Sequence, residues 1–303
     1  MNPPTTTLVS AKPASPADPA PGARPAGGSF EALFRPRSVA VIGASRERGT
    51  IGAEIFHNLI SHGFEGVVYP VNPKANVVQS VQAYPSIEAV PGPVDLAMIV
   101  VPAAAVLGVL DACGRAGVRA AVVISAGFAE TGEEGATRQR ALLACARGHG
   151  IRMVGPNCLG VLNTEPAVRL DATFSPTYPP AGRVAFSSQS GALGLAILEY
   201  ATELNLGISQ FVSVGNKADV SSNDLIEFWE QDEGTDLILL YLESFGNPRR
   251  FTRIARRVGR VKPIIAVKSG RTRAGMRAAA SHTGSLAGSD AAVDALCLQS
   301  GVI

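Results

Sequence analysis

Cysteine is scarce in this chain of 303 residues: four, at Cys113, Cys145, Cys158 and Cys297, with no CxxC pair and no histidine read at zinc-ligand spacing. That scarcity argues against a disulfide framework or a structural metal, and it suits a reducing cytoplasm. Long apolar runs are lacking too. The longest, Leu96–Leu110, has 15 residues, contains Pro102 and is bounded by Asp95 and Asp111, whereas a membrane span needs about 20 apolar residues. No basic segment followed by an apolar core opens the chain, so no secretory signal is expected. Charge of one sign is missing as well. A net charge of +2 gives neither nucleic acid nor an anionic membrane a reason to be the main partner.

The length fits two domains at roughly 150 residues each. Residues 1–29 hold seven of the 21 prolines and no aromatic residue. They read as a disordered leader, too poor in apolar surface to order itself. From Phe30 onward short apolar runs alternate with helical patterns. Strands are expected at Ser38–Gly43, Gly66–Val71, Val94–Val101, Arg119–Ser125 and Ile151–Val154, with helices at Thr50–His62, Ala103–Ala116 and Glu133–His149. A second series follows the Pro-rich stretch Ser175–Pro180. Its expected strands are Arg183–Ser187, Ile208–Val214, Asp236–Leu242 and Pro263–Val267; its helices are Gly191–Leu204, Asn223–Gln231, Pro248–Val258 and one from about Ser289. This alternation predicts an α/β chain with parallel sheets covered on both faces, in two domains joined near residues 165–182.

In the first domain the loop Gly43-Ala44-Ser45-Arg46-Glu47-Arg48-Gly49-Thr50 joins the first strand to the first helix. Such a turn offers backbone N–H groups and a positive helix end to phosphate. The dinucleotide fingerprint GxGxxG is not met, because Ser45 stands at its second glycine. The second strand runs into Val71-Asn72-Pro73-Lys74, with a lysine where NAD enzymes place a carboxylate. With Arg46 and Arg48, Lys74 points to a ligand with an extra phosphate, coenzyme A or NADP; a solvated surface lysine is the plain alternative. Val101-Pro102, Ser125–Phe128 and Gly155-Pro156-Asn157-Cys158 follow later strands, at the sheet edge where such folds bind ligands. Cys158 is read as buried and inert.

In the second domain Ser187-Ser188-Gln189-Ser190-Gly191 leads into a helix and offers an anion site or simply an N-cap. Glu243 ends a buried-looking strand, as a ligand-edge carboxylate or a solvated loop acid. His282 lies in a loop of small residues, Ser281–Ser285. An imidazole there is either structural or a phosphoryl acceptor, provided a carboxylate fixes its other nitrogen.

Together SVAVIGAS (38–45), VYPVNPK (68–74), GPNCLGV (155–161), SSQSGALG (187–194), SVGNKADV (213–220), YLESF (241–245) and SHTGSLAG (281–288) resemble the NDP-forming acyl-CoA synthetases, relatives of the α subunit of succinyl-CoA synthetase. The likeness covers residues 30–303. It implies a Rossmann-like CoA-binding domain over 30–165 and a flavodoxin-like, succinyl-CoA-synthetase-type domain over 166–303. It also implies that His282 is phosphorylated, that Glu243 supports it, and that the Ser190-Gly191 helix start receives the phosphohistidine. The candidate coenzyme A residues are Gly43, Ser45, Arg46, Arg48, Gly49, Thr50, Lys74, Val101, Pro102 and Asn157; no metal ligands are expected. The implied chemistry converts acyl-CoA, phosphate and NDP into acid, CoA and NTP. No P-loop or ATP-grasp segment is recognised, so Mg-NDP or Mg-NTP is expected only through an ATP-grasp partner or further domain, in an oligomer. Leu159 stands where the succinyl branch has proline, which argues against succinate as the acid. The competing readings are a noncatalytic CoA-binding scaffold and, more distantly, an NADP-dependent oxidoreductase.

Overall fold

The computed structural model describes residues 30–269 and 290–303. The expected leader and His282 lie outside the described residues. After a short helix, α1 (Phe30–Phe34), a βα series runs through β1 (Ser38–Ile42), α2 (Ile51–Ser61) and β2 (Val67–Val71). A small hairpin follows, β3 (Val77–Val78) and β4 (Val81–Gln82), then β5 (Leu96–Ile99), α3 (Ala103–Arg115), β6 (Ala120–Val123), α4 (Glu133–Gly148) and β7 (Arg152–Val154). The remaining elements are β8 (Gly160–Asn163), β9 (Leu170–Thr173), β10 (Ala181–Ser188), α5 (Gly191–Glu203), β11 (Ile208–Ser213), α6 (Ser222–Gln231), β12 (Leu237–Leu242), α7 (Pro248–Val258), β13 (Ile264–Lys268) and α8 (Asp290–Ser300).

The first sheet has the order β2-β1-β5-β6-β7 and is parallel throughout. Its strands β1, β5 and β6 are buried along their whole length, as a sheet covered on both faces requires. The second sheet has the order β13-β12-β10-β11-β8-β9. Its β10–β13 part is parallel, while β8 and β9 join antiparallel. The α/β architecture is as expected, but α1, the hairpin, β8 and β9 are additions to it. The chain crosses between sheets after Val154, ahead of the expected boundary at 165–166, and the expected joining stretch 165–182 contains β9.

In each domain the first strand lies between its second and third parallel strands. The connections therefore leave in opposite directions between β1 and β5, and again between β10 and β12. These switch points are where open α/β sheets form ligand crevices.

The two sheets share one continuous apolar core. Asn58 of α2 donates to the carbonyls of Thr173 (2.9 Å) and Ser175 (2.7 Å), and His62 meets the buried Asp171 carboxylate of β9 at 2.9 Å. Arg35, just after α1, pairs with Glu165 (2.7 Å) and Asp232 (3.1 Å). Trp229 is wholly buried, with its indole N–H satisfied by Gln210 at 2.8 Å. The Asn58, His62 and Arg35 contacts tie the first domain to the second.

Close approach at the first switch point depends on glycine. Gly43 adopts φ +97°, and a Cβ there would stand 2.1 Å from the Val100 carbonyl oxygen. A Cβ on Gly52, in the first turn of α2, would stand 2.0 Å from the Gly43 carbonyl oxygen. Gly52→Ala is therefore expected to lower stability by about 1–3 kcal/mol, although alanine favours an isolated helix by about 1 kcal/mol. Denaturant midpoints of the two proteins check this; an unchanged or raised midpoint contradicts the close packing.

Candidate functional site

A cleft of about 690 Å³ lies between the switch points. From the first domain come Ile51 at the start of α2, Val101 and Pro102 after β5, and Asn157; from the second come Ser190 and Gly191. The expected residues Val101, Pro102, Asn157, Ser190 and Gly191 thus share one wall-to-wall space. Gly43, Ser45, Arg46, Arg48, Gly49, Thr50 and Lys74 do not line it. The loop carrying the first six enters α2 beside it. Asn72 ties the Lys74 loop to the same place, donating to the Ala44 carbonyl at 2.7 Å and accepting from the Lys74 amide at 2.8 Å.

Three helix starts, of α2, α3 and α5, meet the cleft through Ile51, Ala103 and Gly191. Among the described residues, the amides of Ile51, Gly52, Gly191 and Ala192 have no acceptor, as is usual for the first positions of a helix. Ser190 caps α5 by accepting from the Leu193 amide at 3.4 Å. Positive helix ends and open amides facing one space from both sides favour an anionic ligand.

The cations divide unevenly. Arg46 and Lys74 are exposed and have no side-chain partner among the described residues. Arg48 and Gly49, both expected to face phosphate, are instead engaged by Glu54. Its carboxylate accepts from Arg48 Nη2 at 2.9 Å and from the Gly49 amide at 2.7 Å. Glu54 sits in the first turn of α2, where a carboxylate compensates the helix dipole. Thr50 spends its hydroxyl on the Glu47 carbonyl at 2.7 Å, and Ser45 accepts from the Glu47 amide at 3.1 Å, so both shape the loop itself.

Beside the cleft a recess of about 120 Å³ is walled by Gln189, Gly215, Asn216, Lys217, Glu243 and Ser244, the first three being shared with the cleft. Gln189 fastens the end of β12. Its Oε1 accepts from the amides of Glu243 (2.8 Å) and Ser244 (2.9 Å), and its Nε2 donates to the Ser244 carbonyl at 2.7 Å. Glu243 is 8% exposed, and its Oε2 has no hydrogen-bond partner among the described residues; the same holds for the buried Ser213 Oγ at the end of β11. Lys217 donates to Ser244 Oγ at 2.6 Å. Burial lowers its ammonium to about 8, with Glu243 opposing and Lys268 assisting the shift. Sequence reasoning singled out Glu243 but passed over Lys217. The available signal was a lysine in the Gly-containing loop after β11, at the same sheet edge as Glu243.

Asn216 bridges the domains, donating to Glu130 Oε2 at 2.5 Å and to Gln139 at 2.9 Å. Burial works to raise the Glu130 carboxyl, but that bond and the amides of Gly127 and Phe128 outweigh it and hold it below the usual carboxylate range. Away from the cleft, Asp111, Cys145 and His149 bring one potential metal-ligand atom each within 4.8 Å of one another. Cys145 and His149 are four apart along the end of α4, a spacing the sequence reading did not weigh. Asp111 is already engaged there by Arg115 and by His149 at 2.8 Å. Among the described residues no helix is long and apolar enough to cross a membrane.

Comparison with known proteins also divides the chain in two, although the first match includes β8 of the second sheet. Residues 37–164 match the family model of a CoA binding domain, and residues 181–303 that of a succinyl-CoA ligase like flavodoxin domain. The chain is 49% identical over 279 residues to acetate–CoA ligase [ADP-forming] I subunit alpha of Pyrococcus furiosus, covering 91% of this chain and 60% of that one. It is 49% identical over 274 residues to acetate–CoA ligase [ADP-forming] I of Archaeoglobus fulgidus, covering 90% of this chain and 39% of that one. A solved structure, the dinucleotide forming acetyl-coenzyme A synthetase 1 of Ca. Korarchaeum cryptofilum in complex with phosphate and ADP, matches with a TM-score of 0.86 at 48% identity, over 91% of this chain and 59% of that one. The chain therefore spans no more than 60% of the length of these relatives.

Cys158 borders the cleft but is unsuited to act as a nucleophile. Burial pushes its thiol up to about 12, and Sγ donates to the Val123 carbonyl at 3.3 Å. Thiol alkylation at pH 8, read by mass spectrometry, is expected to spare Cys158 and Cys113, the latter also raised to about 12, until denaturant is added. The half-buried Cys145 is expected to react sooner; rapid native labelling of Cys158 contradicts the assignment.

Proposed function

Because the chain belongs to the NDP-forming acyl-CoA synthetase family, we propose that it is the CoA-binding and phosphohistidine part of an acid–CoA ligase. The observation that carries this reading is the convergence of the α2, α3 and α5 starts on one cleft from two switch points. One side suits the phosphates of coenzyme A, the other a transferable phosphoryl group.

Coenzyme A fits the first side in chemistry. Open amides at Ile51 and Gly52, with Arg46 and Lys74 at the rim, suit its phosphates, while Val101, Pro102 and Asn157 would hold its thiol-bearing arm. Arg48 would join them by exchanging Glu54 for phosphate, at small cost because exposed ion pairs contribute only about 0–1 kcal/mol. The thiol supplies the acyl acceptor and leaving group.

The chain's own part is phosphoryl transfer. Phosphate displaces CoA from acyl-CoA, giving acyl phosphate. A nitrogen of His282 attacks its phosphorus, the acyl carboxylate leaves as the free acid, and the phosphohistidine then passes its phosphoryl group to NDP. Glu243 would accept the imidazole N–H opposite the attacking nitrogen, which gives its unpartnered Oε2 a donor. The open amides of Gly191 and Ala192 would carry the phosphoryl charge with little reorganisation. A nucleotide-binding partner of ATP-grasp type completes the reaction, and the cytoplasm suits the chain's four free cysteines.

Calorimetric titration is expected to rank CoA above dephospho-CoA, NADP and NAD. Lys74→Ala should weaken CoA binding by about 1–3 kcal/mol if it meets phosphate; NAD binding as tightly as CoA overturns the ligand. Incubation with acetyl phosphate should leave acid-labile, base-stable phosphate on the chain, and His282→Asn should abolish it without changing CoA affinity. A label surviving that substitution moves the chemistry to another residue.

A further inference from the structure

The recess beside the cleft contains a charge arrangement that CoA binding does not use. Lys217 takes up φ +55°, a left-handed conformation unfavourable for a side-chain-bearing residue. That backbone brings its ammonium to the end of β12, where it meets Ser244 Oγ at 2.6 Å and, more distantly, the Ser244 carbonyl at 3.4 Å. An ammonium has three N–H donors, so at least one remains for the recess. Lining the same recess, Glu243 leaves a buried Oε2 without a partner among the described residues. A half-buried ammonium with a free N–H calls for an acceptor and the Glu243 oxygen for a donor, and a partly protonated phosphate offers both.

We propose that Lys217 is a phosphoryl-binding residue: its ammonium holds the oxyanion of inorganic phosphate, or of the phosphoryl end of an acyl phosphate, beside Glu243. This rests on the phosphohistidine reading for its place in the reaction, but not for the binding itself. The charged and titratable groups facing Lys217 are Glu243 just after β12, Lys268 at the end of β13 and Glu130 on the recess wall. Lys217 is charged below about 8 and loses its proton above it, so its hold on an oxyanion weakens as pH rises through that value.

The test uses the full chain, with inorganic phosphate as probe and phosphorus NMR titration as readout. Lys217→Ala is expected to weaken phosphate binding by about tenfold or more, with CoA affinity unchanged as the control for folding. Lys217→Arg should restore binding and, since arginine stays charged, remove the loss of affinity between pH 7 and 9 that the unaltered chain shows. Competition by acetyl phosphate that depends on Lys217 identifies the acyl phosphate as an occupant; competition that survives Lys217→Ala restricts the residue to free phosphate. Phosphate binding unchanged in Lys217→Ala, or the same pH loss in Lys217→Arg, overturns the proposal. If Lys217→Ala loses phosphate but the unaltered chain never carries phosphohistidine, the proposal stands and the phosphohistidine reading falls. If His282 is labelled at equal rates with and without Lys217 and phosphate affinity is unmoved, the reverse holds.

Discussion

The cleft exists because two stretches of backbone touch where no side chain intervenes. A Cβ on Gly215 would stand 2.3 Å from the Pro156 carbonyl oxygen and 2.4 Å from that of Asn157. The loop after β11 in the second sheet is thereby pressed on the turn after β7 in the first. Amides of Asn216 and Ala218 complete the joint, donating to the carbonyls of Pro156 (2.9 Å) and Gly155 (3.1 Å). Because these bonds lie in the main chain, the α5 start is held opposite the α2 start, and Lys217, two residues past Gly215, is delivered to Glu243. A larger residue at 215 would separate the loops and, with them, the two halves of the site.

Much of this was legible in the sequence, for physical reasons that also explain what was not. Strands buried on both faces are unbroken apolar runs, so SVAVI, LAMI and AAVV declare themselves, and glycines and proline mark their ends. The antiparallel pair β8 and β9 does not, because β8 (GVLN) ends on a polar residue and β9 (LDAT) carries Asp171 and Thr173. The burial of Asp171 is made tolerable by His62 just after α2, more than a hundred residues earlier, and no local pattern encodes such a partner. The same limit applies to the cations. Arg48 and Arg46 look alike in the sequence and both are exposed, but Glu54 pairs with the first and the second has no side-chain partner among the described residues. Lys217 was hidden for the opposite reason: a lysine in a polar loop reads as solvated, and only the joint at Gly215 buries it.

Burial also separates the kinds of work the two sides can do. At the rim, Arg46 and Lys74 stand in water, where a pair of unit charges 4 Å apart is worth about 1 kcal/mol and salt screens it further. On the proposed reading, such groups would attract a polyanionic substrate and release it readily. In the recess the same separation is worth about 4 kcal/mol at an effective dielectric of 20. Lys217 and Glu243 together are close to neutral, which limits the cost of keeping both buried. On the proposed reading, a phosphoryl group held by Lys217 would bring negative charge beside Glu243, which the ammonium would offset. The strain at Lys217 and the orphaned oxygen of Glu243 are, on this reading, the price of a site organised before its ligand arrives.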